Sequence, residues 1–314
     1  MGHEWGAIGC NSGRNFWHTK GMFRLNGLQT MVLATLFFSA MNACVKLLPR
    51  IPSHEIVFFR ALGMFCVCLI LAYKQRIPLQ GTHRQDLFLR GFFGTCGLVA
   101  YFYTLKHLDF ATAVTLQYLN PIFSTVLAIV LLNESVRWFQ WVFFALSFVG
   151  VWWVKGFSGD VAPLYLLMGI GSALFSGLAY NYVRKLRGRE HPLVIIFFFS
   201  AVTLVFMGPY TVSHWVQPVG TEWVWLILVG LLTYVAQFLL TLAYQSERMA
   251  IVANLNYLGL VYALVLGYFV FGETVSWQAV VGMVLIVLGV VLGSNAKLHA
   301  WLDRVLRRSG PFIG

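Results

Sequence analysis

Lys46 and Arg60, in the stretch NACVKLLPRIPSHEIVFFRALG (residues 42–63), flank a proline turn, and each adjoins a run of apolar residues. A guanidinium in such a place offers paired N–H donors to a carboxylate or phosphate, whereas an ammonium acts as a point charge. Lys46 lies three residues before Pro49, so its stem can snorkel to an interface. Arg60 lies six residues past His54, about 9 Å along a helix, where snorkelling is harder. Two readings of Arg60 stand open: it meets an anionic ligand group, or it is compensated internally by Glu55 or by carbonyl groups. For Lys46, anchoring or pairing with Glu55 is preferred over ligand contact, although Asn42 one turn earlier shares its face.

The remaining polar chemistry within apolar segments is neutral. Gln117, Asn120 and Ser124 follow at i, i+3 and i+7, with Pro121 placed to remove a backbone donor and bend the helix. Asn254, Asn256 and Tyr257 cluster in a later segment, Thr233, Gln237, Thr241 and Tyr244 form a stripe, and Ser172, Ser176 and Tyr180 are spaced by four beside Asn181. Ser and Thr in such positions commonly bond to neighbouring helices, and that is the preferred reading here. For the amides Gln117, Asn120, Gln237, Asn254 and Asn256, lining a polar cavity and tying helices together are both open. Tyr101, Tyr103, Tyr180 and Tyr257 are candidate cavity walls, with interfacial anchoring or packing expected for at least two. No phosphate loop, zinc-type His/Cys cluster or nucleophile with a neighbouring base is visible, so no cofactor and no enzymatic chemistry are expected.

Elements that could position these groups follow from composition. Of 314 residues, 59% are hydrophobic and only 11% charged, against roughly 25% charged in a soluble domain. Apolar runs near the roughly 20 residues needed to cross a bilayer recur at about 28–48, 54–73, 87–105, 112–132, 138–154, 163–183, 192–213, 222–245, 250–271 and 275–295. Ten transmembrane helices are therefore expected, and a partner in the lipid bilayer with them. The net charge of +11 is topogenic. Of 22 Lys and Arg, the outer loops hold Arg50, Lys106 and Lys155, Lys46 and Arg60 stand apart, and the other 17, Arg90 among them, fall on the inner side. That bias places both termini in the cytoplasm and argues against nucleic acid. Cys44, Cys66, Cys68 and Cys96 read as small packing residues.

Sliding the chain by 139 residues lays ATAVTLQYLNPIFSTVLAIVLLNESVRW (111–138) on AIVANLNYLGLVYALVLGYFVFGETVSW (250–277). Matches include Gly91/Gly230, Tyr118/Tyr257, Glu134/Glu273, Trp138/Trp277 and Gly150/Gly289. With five spans in each copy, the second enters the membrane from the opposite side, and two inverted halves suit alternating access to a central site. Expected units are a disordered tail at 1–24, repeats at 25–156 and 157–296, and an amphipathic basic tail at 297–314 lying on the inner leaflet. Gly289 and Gly293 form a GxxxG pair for which packing within the monomer is preferred over a homodimer.

These paired segments, with their endings NESVRWFQWVFFALSFVGVWWV and GETVSWQAVVGMVLIVLGVVL, resemble the EamA domains of the drug/metabolite transporter superfamily. The resemblance implies an all-α, ten-helix carrier with a central cavity lined by spans 1, 3, 4, 6, 8 and 9, and relatives that move many kinds of solute. The repeat also separates the two cations. Lys46 pairs with Arg184 at a shift of 138, whereas Arg60 falls on Phe198 or Phe199. What both halves share is expected to be framework, so Arg60 is the better functional candidate.

The expected function is secondary transport of a small anionic or zwitterionic metabolite, an amino acid or organic acid, in a bacterial inner membrane. Arg60 and, less strongly, Lys46 would recognise charge. Asn42, Tyr101, Gln117, Asn120, Tyr180, Gln237, Asn254, Asn256 and Tyr257 complete the expected small-molecule site. Export of neutral or amphipathic solutes, with Arg60 structural, is the alternative. A membrane assembly or sensor subunit ranks below both.

Overall fold

The computed structural model describes residues 26–107, 116–155, 163–272, 276–294 and 298. The expected tails at 1–24 and 297–314 (Leu298 apart) and Glu273 lie outside the described residues. The described chain folds into helices α1 (Gly27–Lys46), α2 (Ser53–Gln75), α3 (Arg84–His107), α4 (Asn120–Leu132), α5 (Trp138–Lys155), α6 (Pro163–Lys185), α7 (Pro192–Ser213), α8 (Glu222–Ser246), α9 (Met249–Leu255), α10 (Leu258–Phe271) and α11 (Trp277–Ser294). Six segments are long and apolar enough to cross a membrane, taking α9 and α10 together as one.

Local chemistry sets the boundaries. Pro52 caps α2 in extended conformation, and its fixed φ suits that position. Asn133 and Gly272 end α4 and α10 in left-handed conformation, at φ of 51° and 63°. They are equivalent positions of the two halves, and glycine takes this conformation without steric cost.

The span expected at 250–271 is interrupted. Between α9 and α10 the backbone turns at Asn256 and Tyr257, with Asn256 N donating to Ala253 O at 3.1 Å and Tyr257 N to Asn254 O at 3.3 Å. The first half does the same at the equivalent place: helical Leu116 and Gln117 give way to a turn at Tyr118 and Leu119 before α4 starts. Pro121 sits in the first turn of α4, past the break. Its counterpart in α10 is Leu260, so the proline expected to bend the helix does not by itself cause the interruption.

Packing repeats in the same sense. α1 lies along α8 as α6 lies along α3, α4 meets α6 as α10 meets α1, and α2 crosses α8 as α7 crosses α3. α2 packs on α7, and α5 on α11, each joining one half to the other. These contacts need small residues. Gly63 of α2 faces Gly230 of α8 so closely that a Cβ on Gly63 would stand 2.5 Å from the Gly230 Cα.

Gly289, from the GxxxG pair, abuts Ser147 and the Phe143 carbonyl of α5, and Gly293 abuts the Asn254 amide. Both glycines are used within the monomer. Gly289→Val should therefore cost about 1–3 kcal/mol by overpacking, read as a lower melting temperature of the detergent-purified protein, whereas Gly171→Ala, facing open space, should leave it unchanged.

Candidate functional site

Arg60 stands in the eighth position of α2 and is half-buried among helices. Its Nε is buried without a hydrogen-bond partner. The expected internal pair with Glu55 is not formed: one Glu55 oxygen accepts from Val216 N at 3.2 Å, and the other has no partner. Instead the hydroxyls of Tyr101 (α3) and Tyr180 (α6) lie within electrostatic range of the guanidinium.

A second arginine shares that neighbourhood. Arg90, counted from the sequence with the inner-face cations, is instead a buried residue of α3 with 2% of its surface exposed. Its guanidinium lies 4.2 Å from the centre of the Phe199 ring, a cation–π contact, and its Nε too has no hydrogen-bond partner. Tyr180 and Tyr244 are its electrostatic neighbours, so Tyr180 lies within range of both arginines. Among the described residues no carboxylate pairs with either one. The sequence did hold a signal for Arg90: its counterpart in the second half is Val229, so it is as unmatched as Arg60.

Tyrosines extend the cluster. Tyr180 stacks on Tyr244 with ring centres 4.9 Å apart, and the Tyr244 hydroxyl accepts from Asn256 Nδ2 at 2.8 Å. Tyr118 and Tyr257, equivalent residues at the two helix interruptions, stack on each other at 5.9 Å. The Tyr257 hydroxyl is fully buried with no partner, as are Asn120 Oδ1 and Gln237 Nε2. Buried polar atoms are nearly always satisfied in folded proteins, so unpartnered ones within the bundle mark places for a ligand or for water.

Other expected site residues separate from this group. Gln117 is occupied with α6, accepting from Ser172 Oγ at 2.6 Å and donating to Ser176 Oγ at 3.3 Å. Asn254 donates to Gly289 O at 3.0 Å and accepts from Ser147 Oγ at 3.2 Å, tying α9 to α11 and α5. Asn254→Ala should therefore act through stability, about 1–3 kcal/mol for the orphaned partners. A calorimetric scan would show the drop, with the substrate KM of the folded fraction unchanged. Lys46 and Asn42 are exposed at the end of α1 and are not among the groups acting on Arg60, Tyr101 or Tyr180.

Arg184, the repeat counterpart of Lys46, is framework. Its Nε meets Glu134 Oε1 at 2.7 Å, and Glu134 Oε2 accepts from the N–H of Met249, the first residue of α9. One carboxylate thus joins the end of α4 to α6 and to the start of the interrupted span.

A multi-helix bundle of apolar spans holding two arginines that pair with no described carboxylate suits a solute carrier. The sequence model of the EamA-like transporter family matches residues 25–155 and 163–294, and the chain belongs to that family, of the drug/metabolite transporter type. It is 32% identical over 276 residues to the pseudopaline exporter CntI of Pseudomonas aeruginosa, covering 87% of this chain and 97% of that one. Similarity to the S-adenosylmethionine uptake transporter of Rickettsia prowazekii is 28% over 269 residues, covering 84% and 90%. A protein of known crystal structure shares the fold at a TM-score of 0.76 and 18% identity, covering 85% of this chain and 98% of that one. The protein is an integral, multi-pass bacterial membrane transporter, not an enzyme.

Proposed function

We propose that this transporter moves a small anionic or zwitterionic metabolite, an amino acid or organic acid, across the inner membrane by alternating access, with Arg60 receiving the anionic group. The observation that carries this reading is a guanidinium inside the bundle that pairs with no carboxylate among the described residues. An isolated charge in that setting is costly, and a ligand carboxylate relieves the cost while accepting paired N–H donors. Tyr101 and Tyr180 flank the charge, Asn120, Gln237 and Tyr257 offer free polar atoms, and Asn256 positions Tyr244.

Ten spans in two inverted units, 25–156 and 157–296, with both termini cytoplasmic, form the working frame. The packing that recurs when the halves are exchanged and the paired interruptions at Tyr118 and Tyr257 support it. Interrupted helices at a repeat interface are where carriers of this design hold their cargo. Export and uptake both occur among the named relatives, so the direction is left to experiment. Counterflow into proteoliposomes of a labelled panel of anionic, zwitterionic and neutral solutes tests the proposal. Flux confined to carboxylate-bearing solutes is expected, and flux of neutral solutes alone would refute it.

A further inference from the structure

We infer that the cargo carries two anionic groups set several bonds apart, one received by Arg60 and the other by Arg90; this rests on the anion-carrier reading above. Two guanidiniums share one protein interior, both within range of the Tyr180 hydroxyl, and no described acid pairs with either. Burial disfavours each charge, whatever the distance between them. A cargo with a single carboxylate leaves one of them uncompensated, whereas a cargo with two neutralises both.

Position in the helices adds a length. Arg60 is fifteen residues before the end of α2 at Gln75, and Arg90 is six residues into α3 from Arg84. The two helices are joined by the connection 76–83, so these Cα levels differ by nine residues, or about 13 Å of helix rise. The Arg90 guanidinium reaches one turn further along α3, against Gly94, which leaves about five residues, or about 8 Å, of rise to the Arg60 Cα, so a cargo reaching both carries its anionic groups several bonds apart. The Phe199 face holds the Arg90 guanidinium while leaving its N–H edge for an acceptor, since a cation–π contact uses the plane of the ion and not its donors. Tyr180, within range of both, can bond to the cargo as well.

Melting of the full-length purified protein against linear dicarboxylates from succinate to suberate, matched monocarboxylates and matched diamides tests this. A longer diacid should bind about tenfold more tightly than its monoacid, the effect of one further charge-assisted contact. Arg90→Gln should bring diacid and monoacid to parity and should raise, not lower, the melting temperature of the empty protein, because it removes an uncompensated charge. Arg90→Lys, which keeps the charge, should retain part of the diacid preference, and carries the test if the glutamine variant does not fold. Equal binding of diacid and monoacid by the unaltered protein, or no response to any diacid, would overturn the second site. So would a lower melting temperature with an undiminished diacid preference in Arg90→Gln. Monoacid binding equal to diacid leaves the anion carrier standing, whereas diamides binding as well as diacids removes both readings.

Discussion

Arg60→Gln should reduce transport of a carboxylate-bearing solute by about 10- to 100-fold, the equivalent of losing a charge-assisted contact of roughly 1.5–3 kcal/mol. The protein should fold normally. Glutamine is shorter but stays polar, and no described residue is left without a salt-bridge partner, because Arg60 has none among them. Initial rates in proteoliposomes, normalised to inserted protein, give the number, and a melting curve shows that folding is intact. Arg60→Lys should recover part of the rate, since the charge returns without the two-pronged geometry. Full transport by a well-folded Arg60→Gln would favour a neutral cargo and a structural arginine.

The second large effect is expected where Arg184, Glu134 and the start of α9 meet. Arg184→Met leaves the Glu134 carboxylate, only 15% exposed, with Met249 N alone. Removing one member of a mostly buried pair costs about 3–5 kcal/mol when burial is complete, so about 2 kcal/mol is expected at this partly wet position. Glu134→Gln should cost less, because the amide oxygen still accepts from Met249 N. The double variant should be less harmful than the sum of the two, a coupling that a double-mutant cycle reads directly. Strict additivity would show that the 2.7 Å contact contributes no pairwise energy. The contact also bears on transport, since Glu134 ties α4 to the first residue of the interrupted span α9–α10, and on the proposed alternating-access scheme these repeat counterparts exchange conformations.

Much of the architecture was legible because bilayer length imposes itself on sequence. Apolar runs at 54–73, 138–154 and 192–213 became α2, α5 and α7 within a few residues. Repeat matching paired Tyr118 with Tyr257, which stack at the two interruptions, and Arg184, the counterpart of Lys46, is held by Glu134. Residue type alone could not sort the amides. Gln117 and Asn254 are occupied with serines and a carbonyl on neighbouring helices, whereas Gln237 and Asn120 keep a free polar atom. The difference lies in which serine or carbonyl faces each amide, a tertiary fact that helical spacing does not encode.

Arg90 was missed for a physical reason. A cation six residues into a helix expected to begin on the inner side is indistinguishable, by count, from the many basic residues that set orientation. The absence of a counterpart, which singled out Arg60, applies equally to Arg90 and is the stronger criterion. Both arginines break the rule that an interior charge is compensated, and such departures from local consistency are expected where function requires them.

On the proposed function, Arg60 recognises an anionic group on the cargo. The most direct measurement is initial flux of a labelled carboxylic acid that the transporter accepts, and of its neutral primary amide, through proteoliposomes containing either the unaltered protein or Arg60→Gln. The unaltered protein should carry the acid at least about tenfold faster than the amide, and Arg60→Gln should erase that ratio by slowing the acid. Equal flux of acid and amide through the unaltered protein, or an unchanged ratio in the variant, would contradict it.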